Sequence, residues 1–265
     1  VLDDVLTDLA AEGDRLEALV APLTAEQWRT ATPAAGWDIA TTIAHLAWTD
    51  EVAVHAATDK EAWDAQVMGA IMNPTGYVDE QAAEGAAVEP AQLLARWQTA
   101  RPALAKTLAE FPTGEKIMWF GPPMSPASMA SARFMETWAH GLDVADALGV
   151  ELEKTDRIKH VAHIGVRTRN YAFTNAGFEK PTEEFRVELT APSGEVWTYG
   201  PDDAAQKVTG SADDFCRLVT QRVHRDDTDL TAVGADAEQW LRIAQAFAGP
   251  AGGGRPPKAT QSEGN

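Results

Sequence analysis

The sequence predicts a mainly α-helical protein that ends in a small α+β unit, and three observations carry that prediction. Over roughly the first 175 residues, apolar positions recur three and four apart and β-branched runs are scarce. After Asn175-Ala176-Gly177 the pattern changes to strand-like alternation. A 265-residue chain that is 45% apolar and carries nine Trp can also fill a sizeable core.

Residues 1–20 set Leu2, Val5, Leu6, Leu9, Leu16, Leu19 and Val20 on one helical stripe. Beyond Gly36-Trp37, Asp38 is placed to cap a helix carrying Ile39, Ile43, His45, Leu46 and Val52. A shorter helix is expected at 60–72, stopped by Pro74-Thr75-Gly76, and a long one at 90–110 that Pro102 should kink or restart. Ser125-Pro126 then forms a cap and first-turn pair for a helix running to Leu148-Gly149, and a further helix spans roughly 156–174. Four or more long helices pack most simply as an antiparallel bundle.

In the C-terminal part, 185–191 and 195–200 read as a hairpin around Pro192-Ser193-Gly194. A strand-like Lys-Val-Thr-Gly, a helix from Ser211 to about Val223, a strand in Asp-Leu-Thr-Ala-Val-Gly and a helix at 236–248 follow. The expected division is a helical domain over 1–175, an α+β domain over 176–248, and a tail over 249–265 too poor in apolar residues to fold.

Forty acidic against twenty-two basic residues give a net charge of −18, which argues against nucleic acid or an anionic membrane as partner. No run approaches the ~18 apolar residues needed to span a bilayer, and the acidic, amphipathic start does not resemble a secretion signal, so the expected location is cytoplasmic. Cys216 is the lone cysteine, so metal ligands must be histidine and carboxylate, and a reactive thiol must come from outside the chain.

The segment Ser131–Gly149 is the most informative for chemistry. Glu136 and His140 are four apart and share a helical face, and Asp143 lies near the same stripe as a third ligand or an acceptor for an imidazole N–H. His45 sits on an apolar helix face, where a polar group needs a partner. Joined to Glu136 and His140 it makes a His₂–carboxylate set suited to zinc, nickel or iron, with coordination positions left open. Spacing alone leaves other readings standing: His45 as a satisfied core histidine, and Glu136/His140 as an ordinary surface pair. His160 and His163, three apart, are a competing cluster with His140 or His55, although Arg157, Lys159 and Arg167 crowd them with positive charge. Trp37, Trp48, Trp119 and Trp138 are pocket-lining or core candidates, and Asp50 and Glu51 read as a solvated helix face.

Two motifs in order, GWDIATTIAHLAWTDE and RFMETWAHGLDVADALG, resemble the paired signature of the DinB/YfiT-like metal-binding bundles, and in particular the actinobacterial mycothiol-dependent maleylpyruvate isomerase group. The resemblance implies a DinB-like antiparallel four-helix bundle followed by a sterol-carrier-like α/β domain. It implies that His45, Glu136 and His140 hold a divalent metal, typically zinc, and that mycothiol serves as co-substrate. Residues 207–249 resemble the family's C-terminal domain, in which a helix ends in an Arg facing the metal pocket; Arg222 takes that place as a clamp for a substrate carboxylate. The segment before it, CRLVTQ, has fewer aromatic and Gly residues than the family pattern.

The expected activity is therefore activation of a small-molecule thiol for S-transfer to, or cis–trans isomerisation of, a small electrophilic substrate. Two rivals use the same ion: a hydrolase with Asp143 or Asp50 as general base, and a non-enzymatic protein stapled by its metal.

Overall fold

The computed structural model describes residues 1–261, which form two compact units, 1–152 and the described residues from 153 onward. The first unit is built from α1 (Leu2–Val20), α2 (Ile39–Thr58), α3 (Lys60–Met72), α4 (Tyr77–Ala86), α5 (Pro90–Glu110) and α6 (Pro126–Leu148). α1 packs on α6 and α5, while α2 is covered by α3, α4, α5 and α6. One apolar cluster gathers Leu16, Trp28, Ile39, Ile43, Leu46, Leu93 and Trp97; a second joins Val5, Ala53, Leu104, Leu108, Ile117 and Met129.

The caps are the ones the sequence indicates. The Asp38 carboxylate accepts from Thr41 N and Oγ1, both at 2.8 Å, and pairs with Arg29 Nε at 3.1 Å. Ser125 Oγ accepts from Ser128 N with Pro126 in the first turn, and Gly149 closes α6 in the left-handed region at φ 67°. α5 runs through Pro102 as a single helix; the proline sits on the exposed side, where a lost backbone bond is open to water. α4 carries no apolar stripe for periodicity to find: its YVDEQAAEGA has few large apolar residues, and it packs through Ala82, Gly85 and Ala86. A Cβ on Gly85 would stand 3.0 Å from the Ala44 Cβ on α2.

The second unit contains α7 (Lys159–Arg167), α8 (Arg169–Asn175), β1 (Phe185–Thr190), β2 (Val196–Tyr199), β3 (Gln206–Ser211), α9 (Ala212–Val219), β4 (Thr231–Val233), α10 (Ala235–Ile243) and the short α11 (Lys258–Gln261). The sheet order is β2-β1-β3-β4, with β1 and β3 parallel, Val187 beside Val208, and the other pairs antiparallel. Phe185, Val187 and Leu189 alternate inward, and Trp240 meets Phe185 and Phe215 edge-on, both at 5.7 Å.

The division at 152/153 falls before the change in residue pattern at 175. The helical stretch after Thr155 breaks at Thr168 into α7 and α8, and α7 belongs with the sheet unit because it packs on α9. Contact there is close: a Cβ on Gly165 would come within 2.9 Å of Phe215 and Val219, and the Cys216 thiol points at the Ile158 carbonyl at 3.5 Å. Low apolar content also misled for the start of the tail. Gln245 ties Phe247, Gly249, Pro250 and Gly252 to α10's end, and Tyr171 and Asn175 donate to the Gly249 carbonyl. Residues 262–265 of the expected tail lie outside the described residues. No helix among the described residues is long and apolar enough to cross a membrane.

Asp38→Ala removes the N-cap of α2 and the partner of Arg29 together, and is expected to lower unfolding free energy by about 1 kcal/mol. Urea denaturation measures it; an unchanged midpoint would mean that α2 is held by its packing alone.

Candidate metal centre

From Ile39 to Asp50 every residue of α2 is buried, and His45, 8% exposed, faces Glu136 and His140 on α6. On α6, residues 133, 136, 140 and 143 recur at three- and four-residue spacing along one stripe. The two helices bring together His45, Glu136 and His140, each offering one ligand atom, with these atoms all within 4.8 Å of one another. Glu136 Oε2 lies 3.1 Å from His140 Nε2 and 3.6 Å from His45 Nε2, and the two rings meet edge-on at 4.9 Å. Among the described residues these three make up the cluster with metal-ligand geometry.

The surroundings fix both rings. Trp37, carried by the loop before α2, stacks on His140 at 5.7 Å and 10° and meets His45 edge-on at 5.0 Å. Its indole N–H donates to Asp79 Oδ1 on α4 at 2.9 Å. Trp48 tilts against His45 at 6.3 Å and donates to Gln66, which also accepts from the Tyr77 hydroxyl at 2.7 Å. Asp143 is fully buried on the other side of His140, with Oδ2 3.6 Å from Nδ1. Asp143 is thus outside the cluster of three and lies by the ring nitrogen opposite the one that meets Glu136.

The electrostatics suit a cation. Burial lowers the His45 imidazole to about 4 against the opposing hydrogen bond that the ring donates to Glu136. Burial pushes the Glu136 carboxyl up, but hydrogen bonds from His140 and His45, with the charges of His140 and Arg133, outweigh it and hold the group well below the usual range. At neutral pH the pair is thus a neutral imidazole and a carboxylate, the forms in which these side chains bind metal. Two imidazole nitrogens and a carboxylate oxygen converging on one point fit a divalent ion of the zinc class.

The other expected residues are placed differently. Arg222 belongs to the C-terminal unit, just after α9, where its Nη1 donates to the Thr220 carbonyl at 2.6 Å. His160 and His163 are on α7 and join no cluster of three ligands among the described residues. Trp138 is core, at 3% exposure. The expectation of a solvated Asp50 is corrected: it is 7% exposed, because α2 is enclosed on all sides, whereas Glu51 forms a two-bond pair with Arg96 at 2.7 and 2.8 Å. Burial raises the Asp50 carboxyl to about 7 despite the opposing charges of Arg133 and Arg101. Arg133 itself was not singled out from the sequence, although its place three residues before Glu136 marks it as facing the same way.

Comparison with known proteins follows from this geometry. Residues 9–145, which hold all three clustered side chains, match the family described as "Mycothiol maleylpyruvate isomerase N-terminal domain". The chain belongs to that family. Residues 181–233 match a second description, "Wyosine base formation", which covers a minor part of the chain. Uncharacterized proteins from two strains of Mycobacterium tuberculosis are 57% identical over 250 residues, covering 94% of this chain and 97% of theirs. The crystal structure of the mycothiol-dependent maleylpyruvate isomerase aligns with a TM-score of 0.58 at 15% identity, covering 88% of this chain and 92% of that one. A histidine-to-alanine mutant of that isomerase aligns with a TM-score of 0.57 at 16% identity and the same coverage. The family assignment therefore rests on the sequence matches, and the two crystal structures establish the shared fold.

A pH-dependent stability follows for Asp50. Its folded value lies above the unfolded value of ~3.9, so between the two the folded chain holds a proton that the unfolded chain has lost. The stabilisation is complete below the unfolded value and is lost as pH rises through about 7. Wild-type protein is therefore expected to lose more stability than Asp50→Asn between pH ~5 and ~8 in urea titrations. Equal losses in the two proteins would contradict a protonated, buried Asp50.

Proposed function

We propose that this protein is a metal-dependent enzyme of thiol chemistry. His45, Glu136 and His140 hold a divalent cation, zinc first and nickel or iron as alternatives that accept the same donors. The co-substrate is a low-molecular-weight thiol, mycothiol, and the reaction is S-transfer to, or cis–trans isomerisation of, a small electrophile. The observation that carries the reading is the convergence of the three ligand atoms within 4.8 Å on α2 and α6. Membership in the mycothiol maleylpyruvate isomerase family, together with the thiol-dependent isomerase among the fold neighbours, supports the choice of thiol.

In this reading α1, α2, α5 and α6 are the DinB-like antiparallel bundle and the sheet unit is the sterol-carrier-like domain. The cation supplies positive charge that lowers the pKa of a thiol, so that the nucleophile is present at neutral pH. The protein's own groups do the rest. Trp37 and Asp143 hold the His140 ring from two sides, and the enclosed face of α2 keeps bulk water from His45. The family pattern nominates Arg222 as the clamp for a substrate carboxylate. A cytoplasmic setting keeps the thiol reduced.

Protein purified without added metal is expected to carry about one equivalent, lost in His45→Ala, Glu136→Ala and His140→Ala, as measured by elemental analysis. Retention of the ion by all three variants would sink the centre. With mycothiol and a panel of electrophiles, loss of free thiol should require the metal. Turnover in the absence of thiol would replace this reading with hydrolysis, for which Asp50 or Asp143 is the general base. A bound ion with no turnover of either kind would leave a metal-stapled binding protein.

A further inference from the structure

Below the three clustered side chains, the same stripe of α6 carries a second charged group. Arg133 is 5% exposed, and its Nε and Nη1 are buried with no hydrogen-bond partner among the described residues. The guanidinium carbon lies 5.6 Å from the centroid of Trp119. Trp119 in turn stacks on Trp63 at 6.0 Å and 15°. A cation so enclosed costs several kcal/mol unless an anion or hydrogen-bond acceptor meets it. The carboxyl within its field on α2, Asp50, is 7% exposed and accepts no hydrogen bond among the described residues. It is also raised to about 7, so it neutralises Arg133 incompletely at neutral pH. Arg101, the other cation acting on Asp50, is already paired with Asp14 and Glu17 on α1. An aromatic ring beneath a guanidinium whose fork is unfilled is the arrangement that receives a planar oxyanion, two N–H groups to two oxygens.

We propose that Arg133 is the anchor for a carboxylate on the small molecule that reacts at the His45–Glu136–His140 centre, with Asp50 as the counter-charge it leaves when that carboxylate arrives. The inference rests on the metal-centre reading for the word "reacts", but the anion site stands on Arg133 alone. The geometry also limits the ligand. Three and seven residues along a helix correspond to about 4.5 and 10 Å of rise, so the reacting atom lies within that reach of the anchored carboxylate. Short acids fit that reach; long-chain acids and uncharged electrophiles do not.

The test is calorimetric binding of sorbate and of its neutral amide, sorbamide, to metal-free and to zinc-loaded protein. Sorbate is expected to bind about tenfold or more tightly than the amide, in both forms of the protein. Arg133→Met should abolish that preference and Arg133→Lys should keep part of it. Asp50→Asn, which removes the resident counter-charge, should tighten sorbate several-fold and leave sorbamide unchanged. Equal affinity for acid and amide in the wild type would overturn the proposal, as water-bridged structural charges would give that result. So would a preference that survives Arg133→Met and disappears in Arg222→Met, which would assign the anchor to Arg222. If Arg133→Met fails to fold, the Asp50→Asn arm decides, because weakened or unchanged sorbate binding there contradicts the model of a displaced counter-charge. Metal content is read separately: loss of the centre with a retained acid preference overturns the metal reading and keeps the anion site.

Discussion

Twelve consecutive residues of α2, Ile39 to Asp50, are buried, and that enclosure governs the first unit. A helix covered by α3, α4, α5 and α6 cannot hide its polar residues on a wet face. Thr42 and Thr49 turn their hydroxyls back to the backbone carbonyls of Asp38 and His45. His45 and Asp50 have no such local solution and must be met from α6. The stripe Arg133–Glu136–His140–Asp143 is what meets them, so the buried polar groups of the first unit gather at one helix–helix seam.

Charge within that seam is graded along its length. At the level of Asp143 and His140 a carboxylate faces an imidazole; at Glu136 a carboxylate faces two; at the level of Arg133 a guanidinium faces an aromatic ring and a buried acid whose carboxyl burial pushes up. Neighbouring layers modify one another, since Arg133 helps hold Glu136 ionised and works against the protonation of His45. The seam therefore behaves as one electrostatic unit, in which a ligand's charge at one level is felt at the next.

Much of this was legible in the residues. Helical periodicity, the Asp38 and Ser125-Pro126 caps and the Gly149 stop located α2 and α6 closely, and the four-residue spacing of Glu136 and His140 set two ligand atoms on one face. Spacing could not join His45 to them; that came from the ordered pair of family-like motifs and from the way two distant helices pack. Asp50 was misread because a charged pair after a helix turn is ordinarily solvated, and only the number of neighbours around α2 makes it otherwise. α4 escaped notice because its Ala and Gly residues pack by smallness, which leaves no apolar stripe. The residue pattern changes at 175 and the compact units divide at 152/153, because α7 is as helical in pattern as the first unit while its partner, α9, lies some fifty residues further along the chain.

The hydrogen bond from the Trp37 indole to Asp79 gives this unnoticed helix a part in the centre. α4 contributes no ligand atom, yet it holds the ring that lies flat against His140. A displacement of α4 would therefore tilt an imidazole without touching it, so the aim of the ligand set depends on a scaffold residue forty-two positions downstream of the tryptophan it steadies.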